Sequence, residues 1–158
     1  MSSPIALVTG ASRGIGRAIC LALAEKGFDV VVTARTLREG DGLARSSSLR
    51  APKEVSVAGS VESTADEVRR RGRRALPLRL DLLDQSSIEA AVAEALGRWQ
   101  RIDLLVNNGI YQGPGVMDRF LDVPLETLER IFQGNFFSQV LLLQLVLRPM
   151  LAQRAGTI

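Results

Sequence analysis

The residues Thr9-Gly10-Ala11-Ser12-Arg13-Gly14-Ile15-Gly16 follow directly on the apolar run Ile5-Ala6-Leu7-Val8, and this junction is where the chain can do chemistry. Each glycine answers a separate steric demand at a strand-to-helix turn. Gly10 permits the tight turn, Gly14 lets backbone approach a pyrophosphate, and Gly16 lets the following helix pack closely on the strand. The helix that starts near Gly14 turns its free N–H groups and positive dipole end toward the phosphates. The result is an anion site built mostly from backbone, with Thr9, Ser12, Arg13 and Ile15 around it, and it points to a dinucleotide. A complete catalytic set is harder to read. Downstream of Asn135 the sequence contains no tyrosine and no lysine.

A glycine loop works only where a sheet and helices hold it. Residues 5–8, 30–33, 75–80 and 104–106 are continuous apolar runs, as parallel strands covered on both faces require. Residues 14–26, 61–71 and 87–99 carry helical spacing, with Ile88, Val92 and Leu96 making one stripe. Strands alternating with helices predict an α/β fold: a Rossmann-type, doubly wound parallel sheet with helices on both faces. In the usual arrangement the strand order is 3-2-1-4, and the sheet is expected to stop after its fourth strand and the long helix that follows.

Composition bounds the rest. With 46% hydrophobic residues among 158, one compact domain spanning 1–158 is expected to bury a sizeable core. The lone Cys20 lies in a helical pattern, so it reads as a buried, inert thiol in a reducing compartment. No leader precedes Ile5 and the apolar runs look too short or interrupted to span a bilayer, so a soluble, cytoplasmic chain is expected. A net charge of +3 is too modest to argue for nucleic acid. Arg69, Arg70, Arg71, Arg73 and Arg74 cluster around Gly72, as cations and a left-handed glycine do at a helix end. The competing reading, a nucleic-acid patch, lacks the interleaved aromatics that stacking needs. The polar segment 36–60, with Gly40, Gly42, Ser46-Ser47-Ser48, Pro52 and Gly59, reads as a flexible insertion, or as a lid or partner contact beside the adenine end of a nucleotide.

These motifs, taken in order, resemble the N-terminal part of the short-chain dehydrogenase/reductase family. Thr9 to Gly16 has its TGxxxGxG form. Leu80-Asp81 follows the third strand where that family places an adenine-contacting Asp, and Leu105-Val106-Asn107-Asn108 ends the fourth. The family's NNAG stands here as Asn107-Asn108-Gly109-Ile110. The resemblance implies a nicotinamide cofactor held by Thr9, Gly10, Ser12, Arg13, Gly14, Ile15, Gly16, Arg35, Asp81, Leu82, Asn108 and Gly109, with no metal.

Which nicotinamide cofactor follows from charge at the end of the second strand. An acid there would bond a free ribose 2′-hydroxyl and repel a 2′-phosphate. Thr33-Ala34-Arg35 offers Ala34 in that place and then a guanidinium, which Arg13 could join from the glycine loop. NADP(H) is therefore expected over NAD(H). Asn135 resembles the family's catalytic Asn, whose backbone carbonyl holds a water in a proton relay. The family's Ser, Tyr and Lys would follow a fifth strand, of which Gly156-Thr157-Ile158 looks like the first residues. Tyr111 does not replace that Tyr, since it lies in the loop after the fourth strand with no Lys four residues on.

Residues 124–154 read as a nearly continuous helix that Pro149 should kink or end. Phe136, Phe137, Val140, Leu141, Leu142, Leu143, Leu145 and Val146 leave it little polar face, so a homo-oligomer is expected, unless the rest of a sheet covers this surface. Three readings remain: the front part of an NADP-dependent oxidoreductase acting on a small carbonyl or alcohol, inactive as given; a non-catalytic nucleotide-binding or oligomerisation module; and a nucleic-acid binder using Arg69 to Arg74. Only residues 110–116, stiffened by Gly113-Pro114-Gly115, face a substrate from this side.

Overall fold

The computed structural model describes residues 3–50 and 54–158. β1 (Ile5–Thr9) is fully buried and runs through the glycine loop into α1 (Gly14–Glu25). β2 (Asp29–Ala34) follows, then a small antiparallel hairpin of β3 (Leu43–Arg45) and β4 (Glu54–Ser56). Next come α2 (Val61–Arg70), β5 (Ala75–Arg79), α3 (Gln85–Trp99) and β6 (Leu104–Val106). A 3-10 turn (Phe120–Asp122) leads to α4 (Leu125–Phe132), a single π turn (Gln133–Phe137) and α5 (Ser138–Gln153).

The main sheet is parallel throughout, in the order β5-β2-β1-β6, which is the expected 3-2-1-4. Period-2 alternation sends neighbouring side chains to opposite layers. Ile5, Leu7 and Val31 join Ile88, Val92, Leu142 and Val146 under α3 and α5. Val8, Val30 and Val32 join Cys20, Val61 and Val68 under α1 and α2. Each buried valine or isoleucine contributes about 1.5–3 kcal/mol, so the strand ends that carry the loops are rigid. Burial pushes the Cys20 thiol up to about 12, which leaves it protonated and inert.

Beyond β6, Thr157 makes a parallel bridge to Leu104, with Leu105 N–H donating to Thr157 O at 3.0 Å. Residues at the end of the chain thus lie in the position of the next strand. The arginine run is absorbed by acids. Arg69 pairs with Asp66, Arg70 and Arg71 with Glu67, and Arg73 and Arg74 with the buried Asp29. Gly72 takes φ +73, the left-handed cap its place predicted.

Two readings change in the structure and one gains detail. The segment 36–60, read as a flexible insertion, lid or partner contact, contains the short β3–β4 hairpin; its Pro52 lies outside the described residues. Pro149 does not end the helix, which continues to Gln153 and caps at Arg154 with φ 52. Proline removes one hydrogen bond, whereas Val146 and Met150 on either side are buried and hold the turn in place. Because neither Pro149 nor the π turn breaks it, Leu125–Gln153 forms one rod of 29 residues with mean hydropathy 1.3. By length and composition it could cross a membrane, which its apparent interruptions had argued against. A core helix has the same composition, and Leu142, Val146 and Met150 of this one pack against the sheet.

Candidate nucleotide-binding site

The carboxyl ends of β2, β1 and β6 open into a cleft of about 430 Å³. All twelve residues expected to hold a cofactor line it: Thr9, Gly10, Ser12, Arg13, Gly14, Ile15, Gly16, Arg35, Asp81, Leu82, Asn108 and Gly109. Its floor is backbone at close quarters. Gly10 has φ +66 and Gly14 φ +52, conformations that side chains with a Cβ rarely adopt. A Cβ at Gly10 would stand 2.7 Å from Gly109 Cα, and one at Gly16 2.2 Å from the Gly10 carbonyl oxygen. Asn108 stitches the loop to β6, its Nδ2 donating to Thr9 O at 2.9 Å and Gly10 O at 3.3 Å, while Gly109 N–H donates to Thr9 Oγ1 at 2.9 Å. Glycine at 109, where the NNAG pattern has alanine, therefore keeps the backbone path along the loop.

α1 begins with Arg13 as N-cap and receives no side-chain cap, nor does an acid occupy its first turn. Its leading N–H groups face the cleft with their dipole uncompensated, as an anion site requires. Ile15 and Ile110 line the cleft at 75% and 68% exposure, two apolar walls beside a polar floor. This donor set and the close backbone cradle fit a nicotinamide dinucleotide.

The two arginines are placed differently. Arg35 is exposed on the lining and has no ion-pair partner among the described residues. Arg13 turns beneath the segment after β2, donating from one nitrogen to Thr36 Oγ1 at 3.2 Å and Gly59 O at 3.0 Å, with its Nε buried and without a partner. Asp81 accepts from Leu83 N–H at 3.1 Å and pairs with Arg79 at 3.3 Å.

Asn135 does not line the cleft. It sits in the π turn and clasps the backbone of Tyr111, accepting from Tyr111 N–H at 2.7 Å and donating to Tyr111 O at 3.0 Å. Gly134 makes the approach possible, since a Cβ there would meet Tyr111 Cβ at 2.5 Å. Gln139 adds a third tie, donating to Gly109 O at 2.9 Å. The π turn thus holds the loop after β6 in position, and π turns recur at functional sites. On the far side of that loop Asp118 accepts the Ser48 hydroxyl at 2.7 Å and Leu49 N–H at 2.6 Å, bonds that hold its carboxyl below the usual range.

A sequence profile described as short chain dehydrogenase matches residues 4–57 and 49–158, nearly the whole chain. The chain belongs to the short-chain dehydrogenase family. Within that family, cyclohexanol dehydrogenase of Rhodococcus sp. (strain TK6) is 33% identical over 156 residues, covering 98% of this chain and 54% of the relative. The 3-oxoacyl-[acyl-carrier protein] reductase from Brucella melitensis, solved in complex with NAD, superposes with a TM-score of 0.74 at 32% identity, over 96% of this chain and 51% of that one. A metagenomic short-chain oxidoreductase solved in complex with NADP gives a TM-score of 0.77 at 26% identity, over 98% and 60%. This short-chain dehydrogenase chain thus spans about half the length of the relatives it matches.

Tyr111 and Gln112, read as part of the substrate-facing loop, and Thr36, at the start of the segment read as lying beside the adenine, all line the cleft. Sequence reasoning named neither Leu43 nor Ala44, which line it from the hairpin. Leu43 and Ala44 gave no signal, because an isolated apolar pair within a polar stretch has no period.

Proposed function

We propose that this chain is the cofactor-binding part of an NADP(H)-dependent oxidoreductase, which transfers hydride between nicotinamide and the carbonyl or alcohol of a small molecule. The observation that carries the cofactor choice is the end of β2, where Ala34 replaces an acid and Arg35 lies on the cleft wall with no ion-pair partner among the described residues. When bound, the nicotinamide supplies or accepts the hydride. Residues 9–16 and the first N–H groups of α1 would hold the pyrophosphate, Asp81 and Leu82 the adenine, Asn108 and Gly109 the nicotinamide ribose. Arg35 would take the 2′-phosphate, with Arg13 bracing the segment beside it. Asn135 would serve the proton relay through its backbone carbonyl. The Ser, Tyr and Lys that complete the family's site are assigned outside these 158 residues, so the isolated chain binds nucleotide without turnover.

The same reading makes the protein a cytoplasmic homo-oligomer. Its support is the apolar surface of the long rod, where Phe132, Phe136, Phe137 and Leu151 stand exposed. The alternative reading is a module that binds nucleotide or oligomerises without catalysis. The intact mass of the protein from its natural source separates the two: more than 17.1 kDa favours the oxidoreductase, and 17.1 kDa the module.

The cofactor assignment is tested by titrating NADPH and NADH into the chain and into Arg35→Ala. Loss of a charge-assisted hydrogen bond is expected to weaken NADPH about tenfold or more and leave NADH unchanged. Unchanged NADPH affinity in Arg35→Ala overturns the assignment, and carbonyl reduction by the isolated chain overturns its inactivity.

A further inference from the structure

The segment after β2 does not stay on the β2 side of the molecule. Its outgoing limb, residues 36–50, starts beside Arg35, passes Leu43 and Ala44 along the cleft wall, and docks on the loop after β6. Gln112 Nε2 donates to Ser47 Oγ at 3.1 Å, and Met117 N–H to Ser47 O at 3.1 Å. Asp118 accepts Ser48 and Leu49, and Arg50 pairs with Asp122. In the sheet, β1 and its glycine loop lie between β2 and β6. A chain that leaves β2 and docks beyond β6 therefore crosses the mouth of the cleft.

The two ends are fastened unequally. At the near end Arg13 bonds Thr36 and Gly59, Glu39 accepts Gly59 N–H at 2.7 Å, and Val61 N–H donates to Thr36 O at 3.0 Å. The far end is held by a few polar groups at the surface, which exchange readily with water. Such an asymmetry is that of a strap with a hinge and a latch.

We infer that residues 46–50 form the latch of a strap over the cofactor cleft, with Asp118 as its positioning residue, and that opening this latch sets how fast nucleotide passes in and out. The inference rests on the cleft's being a nicotinamide dinucleotide site. Ser48, Leu49 and Asp118 do not line the cleft, so they give the nucleotide no contact. The latch bonds join protein groups only, so they add nothing to the hold on a nucleotide once it is in the cleft. Loosening it consequently speeds passage in both directions and leaves the equilibrium affinity nearly unchanged. A residue that touched the nucleotide would instead raise the dissociation rate and weaken affinity together.

The experiment is stopped-flow fluorescence of NADPH binding to, and displacement from, the full chain and its Asp118→Ala, Asp118→Asn and Ser48→Ala variants. Asp118→Ala is expected to raise kon and koff each by about fivefold or more, with Kd changed less than about twofold. Asp118→Asn, which keeps one oxygen acceptor, recovers part of the effect. Hydrogen exchange on the nucleotide-free chain should show Leu49 and Met117 amides losing protection in Asp118→Ala while β1 and β2 amides keep theirs. If the sheet amides loosen too, the Ser48→Ala rates decide. Nucleotide binding with rates indifferent to these variants overturns the gating role alone. A chain that binds neither NADPH nor NADH overturns the proposed function and the gating with it.

Discussion

Gly16→Ala adds one methyl where the glycine loop touches itself. The new Cβ would stand 2.2 Å from Gly10 O, 2.8 Å from Gly10 C and 2.7 Å from Asn108 Nδ2, whereas ordinary contact begins at 3.4 Å. The Gly10 carbonyl must therefore retreat by about 1 Å. Little can yield around it: Asn108 Nδ2 holds Thr9 O and Gly10 O, Ala11 N–H donates to Thr33 O at 2.9 Å, and Gly109 backs onto Gly10. Overpacking at so fixed a site costs about 1–3 kcal/mol. Alanine returns about 0.5–1 kcal/mol in helix propensity, since residue 16 lies in the first turn of α1. The expected net loss is up to about 2.5 kcal/mol, read as a lower urea midpoint at unchanged m-value. Nucleotide binding should suffer more than stability. The loop relieves the clash by moving the backbone whose N–H groups are proposed to hold the pyrophosphate, so NADPH affinity is expected to drop at least about tenfold. Wild-type stability together with wild-type affinity in Gly16→Ala would refute the picture of a loop fixed by backbone contact.

Gly97 tests the same arithmetic with the opposite sign. It is exposed in α3 with nothing within 4 Å of its Cβ position, so Gly97→Ala should raise stability by about 0.5–1 kcal/mol in the same denaturation assay. Asp29 is almost fully buried and takes both Arg73 and Arg74, and Asp29→Ala should lower stability by no more than about 3 kcal/mol, because Arg74 is largely exposed and regains water. Asp103 joins the starts of β1 and β6, accepting Ile5 N–H at 2.8 Å and Arg101 Nε at 2.9 Å. Burial works to raise this carboxyl, but Arg101 and the Ile5 N–H outweigh it and hold it below the usual range. Folded, it binds fewer protons than unfolded, so its stabilisation is full above the ordinary carboxylate value near 4 and is lost as pH falls through the lower folded one. Stability of Asp103→Asn measured from pH 7 to pH 2 should accordingly fall less steeply with acid than that of the unaltered chain.

The parts of the fold legible in the sequence are those with a local period or a fixed steric cause. The runs around Leu7, Val31 and Leu105 announced buried parallel strands, and Gly10, Gly14 and Gly16 announced the loop. Gly72 marked a helix end through its conformation alone. What could not be read depends on contacts distant in sequence. Nothing near Asn135 announces that its amide will grip Tyr111, 24 residues away. Leu43 and Ala44 acquire their places by pairing with Ser56 and Val55, and Ser48 only when the chain reaches Asp118 in the loop after β6. The arginine run was legible only in part: Asp66 and Glu67, which take Arg69, Arg70 and Arg71, lie three or four residues away, whereas Asp29, which takes Arg73 and Arg74, lies 45 residues from Arg74. Pro149, read as kinking or ending the helix, does not end it, because the burial of Val146 and Met150 on either side overrides local propensity.

The π turn at 133–137 holds one residue more than an α-helical path between the same two points. The long rod therefore contains one place where chain length is negotiable. Deleting a single residue there would let a regular α-helical path join the same two points, with Leu142, Val146 and Met150 in their seats on the sheet and α4 close to its present course. Because α4 buries none of its residues, whatever small adjustment remains forfeits little packing. The deletion forfeits Asn135's hold on Tyr111. The extra residue is a spacer that the architecture could shed and the site could not, so an insertion or deletion at this point distinguishes what keeps the protein folded from what keeps its cleft in shape.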